Sequence, residues 1–183
     1  MNQTLREFVD VIHVDPSAIL DEFVKVPKDQ YRPHEWYEEG GQGTVEKPCT
    51  SLIYGPDTNS SLSYAMYGVV DQCLRIYTSS RQWPKSFSAS SVGRVNIYRE
   101  GDSMDEHVDH IHTLFTPPTR GIPVISIVGL LNDDFTGGAF TLCGEEIPLN
   151  AGDVILFPSC FLYPHSVGTV ESGERISFVS WAW

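Results

Sequence analysis

Residues 152–183 read "GDVILFPSCFLYPHSVGTVESGERISFVSWAW". The run 153–157 is short and apolar, the signature of a strand buried on both faces. Residues 175–183 have a two-residue period. Arg175, Ser177, Val179 and Trp181 fall on one side of a strand, and Ile176, Phe178 and Ala182 on the other. The turns "NAGD" at 150–153 and "ESGE" at 171–174 precede these runs with glycine. The same punctuation continues upstream, with "REGD" at 99–102 and "TGGA" at 136–139. Further strands are expected at 88–98, 107–113, 124–131, 139–142 and 146–149. Many short strands of even spacing predict a mainly β fold, a β-sandwich or jelly-roll barrel. Residues 87–183 would form its core.

Residues 1–86 would support that barrel. A strand is expected at 8–14. Asp15 followed by Pro16 reads as a helix N-cap with proline at the first helical position, leading into a helix over 18–26. Asn59 or Ser60 can cap a second helix, on which Leu62, Ala65, Met66, Val69, Val70, Cys73, Leu74 and Tyr77 recur at helical spacing. That stripe reads as core. The Gly-, Pro- and Glu-rich stretch 27–56 reads as loop. Its part at 31–56, with Tyr31, Trp36 and Tyr37, could fold over the barrel mouth as a substrate lid. At 183 residues, all of this fits one domain, 1–183.

The 24 acids against 12 bases give a formal net charge of -12, which argues against nucleic acid or an anionic membrane surface as partner. No apolar run approaches the ~20 residues needed to span a bilayer. The N-terminus shows no secretory signal pattern. Cys49, Cys73, Cys143 and Cys160 share no CxxC spacing and read as reduced thiols, so a cytoplasmic location is expected. The sequence leaves the oligomeric state open.

Residues 106–113, "EHVDHIHT", concentrate the chemistry. On a strand over 107–113, His107 and Asp109 share one face, and His110 and His112 share the other. An imidazole and a carboxylate aimed at one point supply two ligands of the facial triad of non-haem iron(II) oxygenases. Asp105 and Glu106 precede the strand and would stay solvated. His165, before the last strand, is the candidate third ligand. Arg175 follows it by ten residues, with Ser177 on the same face. A buried guanidinium needs an anion, and together with a hydroxyl it can grip a carboxylate.

The arrangement H-x-D, a distant His and an Arg ten residues on resembles the 2-oxoglutarate/iron(II) dioxygenases, and within them the prolyl-4-hydroxylase-like branch. "NIYREGDSMDEHVD" at 96–109 resembles that branch's Y-x-x-G segment, with Tyr98 nine residues before His107. "LLNDDFTGGAF" at 130–140 resembles its L-N…GG stretch, and 152–181 its segment around the second histidine. The resemblance covers about residues 88–183. It implies a double-stranded β-helix of the jelly-roll, cupin-like kind, with Fe(II), 2-oxoglutarate and O2, and ascorbate as a candidate reductant. His107, Asp109 and His165 would bind iron. Arg175 would pair with the distal carboxylate of 2-oxoglutarate, assisted by Ser177. Tyr98 would hydrogen-bond near the metal or the cosubstrate, and Trp181 would line the pocket near the metal. Leu130 departs from the pattern, because some family members place there a tyrosine that helps hold the distal carboxylate. Ser177 or Ser126 would take that role here.

The implied reaction is hydroxylation of a C–H bond, with 2-oxoglutarate converted to succinate and CO2. Arg94, Asn96 and Tyr98 should share the pocket face of one strand, which suits a polar or peptidic target. The family points to a peptidyl residue such as proline. A free amino acid or small metabolite is the alternative substrate, and a metal- or 2-oxoglutarate-sensing barrel without turnover is the non-enzyme alternative.

Overall fold

The computed structural model describes residues 1–37, 44–46, 51–81, 90–91, 93–109 and 123–183; the side chains of 36–37 and 44–46 are outside the description. In chain order the elements are α1 (Gln3–Arg6), β1 (Asp10–His13), α2 (Ser17–Phe23), a 3-10 turn (Lys28–Gln30), β2 (Arg32–Pro33), β3 (Glu35–Tyr37), β4 (Thr44–Glu46), β5 (Leu52–Tyr54) and α3 (Ser61–Ser79). Then follow β6 (Arg94–Tyr98), β7 (Met104–His107), β8 (Ile125–Leu130), β9 (Phe135–Gly137), β10 (Phe140–Leu142), β11 (Glu145–Ile147), β12 (Asp153–Pro158), β13 (His165–Val167), β14 (Val170–Gly173) and β15 (Arg175–Ala182).

A seven-stranded sheet has the order β1-β12-β8-β15-β6-β5-β2, and a four-stranded sheet the order β11-β10-β13-β7. Every pairing in them is antiparallel. Strand alternation sends each side of the large sheet to a different core. Val95, Ile97, Ile125, Ile127, Val154, Leu156 and Phe178 pack under the helices, against Ile19 and Phe23 of α2 and Leu62, Met66, Val70, Cys73 and Tyr77 of α3. Tyr98, Val128, Ile155, Phe157 and Val179 form the other core with Met104, Phe140, Leu142, Ile147 and Val167 of the small sheet. This is the jelly-roll arrangement expected, with α2 and α3 covering one face of the large sheet and Leu5 of α1 packed on the other core.

Local chemistry explains the helices. Ser60 caps α3, its hydroxyl accepting from the Ser63 backbone N–H. Asp15 accepts from the backbone N–H and the hydroxyl of Ser17, so its side chain caps the α2 start while Pro16 occupies the N-cap position. Gly129 has no side chain for a packing reason: a Cβ there would lie 2.1 Å from the Phe178 ring.

Three expectations need correction. Stretch 27–56 is not all loop: β2 and β5 extend the large sheet beyond β6, and β3 pairs with β4. Tyr31 is not a lid aromatic. It stacks on Phe23 at 5.7 Å between ring centroids and packs on the helix-side core. Of the strand expected at 107–113, residues 110–113 are outside the description, and among the described residues 107–109 only His107 lies in a strand, β7, which begins earlier, at Met104. Its partner β13 starts at His165, and Pro164 just before it has no N–H to continue the ladder. Strands β9, β13 and β14 are three or four residues long, too short to show a period. Among the described residues, no helix is long and apolar enough to cross a membrane.

Candidate metal centre and cosubstrate pocket

The last residue of β7 and the first of β13 are register partners, and both are histidines. The His107 and His165 rings lie 4.3 Å apart. Asp109 lies two residues past the end of β7. Its carboxylate lies 3.9 Å from His107 Nε2 and 3.7 Å from His165 Nε2. One donor atom from each of the three lies within 4.8 Å of the others. His107 and Asp109 therefore converge as expected, with Asp109 just beyond the end of β7 rather than inside the strand.

Each imidazole is oriented from behind. His107 Nδ1 is 2.7 Å from the Asp105 carbonyl and His165 Nδ1 is 3.2 Å from the Tyr163 carbonyl. A carbonyl only accepts, so both Nδ1 atoms carry the proton and both Nε2 lone pairs face the cluster. His165 is packed against Phe140 and Phe157. Burial holds its pKa below the usual histidine value, against the opposing pull of Asp109. The imidazole is thus neutral near pH 7, the form that can bind a metal. Two imidazoles and one carboxylate fit a facial iron(II) triad.

Asp109 is held in turn. Ser126 donates to its carboxylate at 2.6 Å, and Ser126 and Ser159 hydroxyls are 2.6 Å apart. Ser126 has one proton and gives it to Asp109, so Ser159 donates to Ser126. The expectation that Ser126 helps grip the distal carboxylate is thereby corrected: it serves the metal end.

Arg175 lines the same pocket as the triad, two residues before Ser177 along β15. It is 1% exposed. Its Nη1 donates to the Ser177 hydroxyl at 3.0 Å, and among the described residues its buried Nε has no hydrogen-bond partner. Among the described residues no carboxylate lies within ion-pair reach of it. The guanidinium stands 5.3 Å from the Tyr98 ring centroid, its register partner on β6. Tyr98 is fully buried, and that burial raises its pKa. Tyr98 therefore sits beside Arg175, at the cosubstrate end of the pocket. Gly138 makes room for the arginine stem, since a Cβ there would be 2.9 Å from Arg175 Cδ. A buried cation with an open donor needs an anion, and a dicarboxylate spanning from triad to guanidinium supplies one.

Sequence reasoning missed His34. It is buried, and its Nε2 lies 3.1 Å from Arg94 Nη2. An arginine only donates, so the neutral imidazole accepts. Arg94 also stands 5.4 Å from the Trp181 ring centroid, which places both at the metal end of the pocket. Burial, then Arg94, then His107 lower the His34 pKa to about 4. The unfolded chain takes up this proton near pH 6.5 and the folded one does not until about pH 4. Stability from this group is complete above pH 6.5 and falls as pH drops from 6.5 to 4. His34→Gln should flatten that part of a melting-temperature profile against pH; an unchanged slope would remove His34 as its source. His110 and His112 lie outside the described residues, as does Cys49. Among the described residues Cys73, Cys143 and Cys160 are free thiols.

Fold and site together define an iron- and 2-oxoglutarate-type oxygenase domain. Residues 93–183 match the family model of the 2OG-Fe(II) oxygenase superfamily, and through this half the chain belongs to it. The family implies Fe(II), 2-oxoglutarate and O2 as cofactors, which the donor set fits. The chain is 32% identical over 104 residues to a PKHD-type hydroxylase of Psychrobacter sp., covering 54% of this chain and 37% of that protein. It is 28% identical over 160 residues to a PKHD-type hydroxylase of Teredinibacter turnerae, covering 80% of this chain and 66% of that one. The chain thus spans less than two thirds of both relatives. Its fold is similar to that of a prolyl hydroxylase from Trichoplax adhaerens, solved with a hypoxia inducible factor peptide fragment. That match has TM-score 0.71 and 15% identity, and covers 96% of this chain and 83% of that one. A Pseudomonas putida prolyl-4-hydroxylase matches with TM-score 0.66 and 16% identity, covering 96% and 91%.

Proposed function

We propose that the protein is an Fe(II)- and 2-oxoglutarate-dependent dioxygenase that hydroxylates a C–H bond, with a peptidyl residue such as proline as its target. The observation that carries this is one pocket lined by both a His-Asp-His cluster and a buried arginine whose Nε is unpaired. His107, Asp109 and His165 would hold iron on one side only, leaving positions for cosubstrate and oxygen. Arg175 and Ser177 would take the distal carboxylate of 2-oxoglutarate, with Tyr98 closing the wall beside them. Bound iron would supply the oxygen chemistry, with 2-oxoglutarate going to succinate and CO2. The protein's part is to align the two ends and keep the target C–H at the open face.

The peptidyl target rests on the PKHD-type and prolyl hydroxylase relatives. The polar wall of Arg94, Asn96 and Tyr98 on β6 supports it. Residues 1–183 are read as one domain, with 1–86 buttressing the barrel, and the free thiols fit a reducing cytoplasm. Two measurements test the reading: succinate release from 2-oxoglutarate under air, and a search of peptide substrates for a product heavier by one oxygen atom. Succinate with an oxygenated product is the expected result. Iron and 2-oxoglutarate bound with no succinate from any substrate would instead favour a sensing barrel.

A further inference from the structure

The pocket wall carries two arginines, and strand register sets them apart. Between β6 and β15, Tyr98 pairs with Arg175, Asn96 with Ser177 and Arg94 with Val179. Arg94 therefore lies four residues along the wall from Arg175, about 13 Å at the rise of a strand. A diacid with four C–C bonds between its carboxylate carbons spans only about 5 Å. A cosubstrate clamped by Arg175 thus ends well short of Arg94. Yet Arg94 lines the same space as His107, Asp109 and His165.

The head of Arg94 is held in place. Its Nη2 donates to the buried His34 ring at 3.1 Å, and the guanidinium stands 5.4 Å from the Trp181 ring centroid. His34 accepts as a neutral imidazole and Trp181 presents a ring face, so these two contacts orient the cation and leave its charge in place. A planar guanidinium fixed in this way matches a carboxylate, which can take two parallel N–H donors. Asn96, next on the same face of β6, adds an acceptor. It is 7% exposed, and among the described residues its Oδ1 has no hydrogen-bond partner. An acceptor beside a cation fits an amide N–H beside a carboxylate, the pair that an acidic residue within a peptide presents.

Accepting the proposed function, we infer that Arg94 recognises the substrate, with His34 as its positioning residue, and that the peptide it selects carries an aspartate or glutamate beside the hydroxylated residue. The acidic side chain sits on Arg94, and a backbone N–H of the same segment meets Asn96 Oδ1. The target C–H then faces the metal cluster, which shares this pocket. The rest of the protein works against such a ligand, because a net charge of -12 repels acidic peptides. A preference for the acidic peptide is therefore local to the pocket and does not come from general attraction.

The test uses the iron-loaded protein with 2-oxoglutarate, held without oxygen. Two capped peptides are titrated, acetyl-Glu-Pro-Glu-amide and acetyl-Gln-Pro-Gln-amide, and the change in the metal-to-ligand charge-transfer absorption reads their binding. The acidic peptide should bind about tenfold tighter, the margin of a charge-assisted over a neutral hydrogen bond. Arg94→Gln should erase that margin, and Arg94→Lys should keep part of it. His34→Leu removes the acceptor and should shrink the margin, whereas His34→Gln can still accept and should keep most of it. The margin is a ratio within one protein, so a fold defect that weakens both peptides alike leaves it readable. Equal affinities in the wild type overturn the inference, and so does a margin that survives Arg94→Gln. An absorption that neither peptide moves also overturns it, together with the peptidyl-proline target. No charge-transfer absorption with 2-oxoglutarate is a different failure, because it overturns the proposed function on which the inference rests.

Discussion

In the Asp109→Ala protein, Fe(II) no longer raises the melting temperature. Asp109 is the sole carboxylate of the cluster, and its side chain is only 9% exposed. Removing one partner of a buried charge pair costs ~3–5 kcal/mol, or roughly two to three orders of magnitude in affinity. Metal at a hundred times its dissociation constant stabilises a protein by about 2.7 kcal/mol. In a domain of this size that is a shift of roughly 5–10 °C in the wild type. The alanine also leaves the buried Ser126 hydroxyl without its acceptor, so the metal-free variant is compared with an Asp109→Asn variant, which keeps an acceptor for Ser126 while removing the charge. Both should melt cooperatively without metal and neither should respond to Fe(II). His107→Ala and His165→Ala should behave like Asp109→Ala. Anaerobic melting with and without Fe(II) measures all three. A metal-induced shift of wild-type size in any of them would take that residue out of the centre.

Arg175→Ala should weaken 2-oxoglutarate binding by roughly two to three orders of magnitude while iron affinity stays within a few-fold. The arginine does not touch the metal cluster; it would meet the far carboxylate. Arg175→Lys should recover only part of the loss, since an ammonium cannot reproduce the bidentate fork. The ligand-free protein should respond in the other direction. A buried guanidinium bonded only to Ser177 pays desolvation without an ion pair. Arg175→Met keeps the stem and removes the charge, so the ligand-free variant should be more stable, by roughly 1–4 kcal/mol. Anaerobic calorimetric titration measures the first effect and chemical denaturation the second. Unchanged 2-oxoglutarate affinity in Arg175→Ala would remove this residue from the cosubstrate site.

The residues that converge here were largely legible in the chain. The two-residue period of 175–183 put Arg175, Ser177 and Trp181 on one face, and β15 keeps them there. Arg94, Asn96 and Tyr98 likewise line one wall. What periodicity could not give was where a strand ends. His107 closes β7 because Pro164 ends its partner's ladder, a constraint from residues more than fifty positions away. The job of Ser126 did leave a trace, as a hydroxyl interrupting an apolar run at an inward position. Such a hydroxyl needs a partner when buried, and the nearest acid on the facing segment is Asp109. His34 left no comparable trace, because its burial depends on β2 and β5 joining the large sheet. Those strands are two and three residues long inside a Gly- and Pro-rich stretch.

The most direct test of the central claim is a crystal structure of the protein soaked without oxygen in Fe(II) and 2-oxoglutarate, with the anomalous signal of iron recorded. The expected result is one strong anomalous peak within coordination distance of His107 Nε2, His165 Nε2 and the Asp109 carboxylate. Continuous density for the diacid should run from that peak to the Arg175 guanidinium and the Ser177 hydroxyl. A metal peak held by other residues, or a diacid whose distal carboxylate lies away from Arg175, would contradict it.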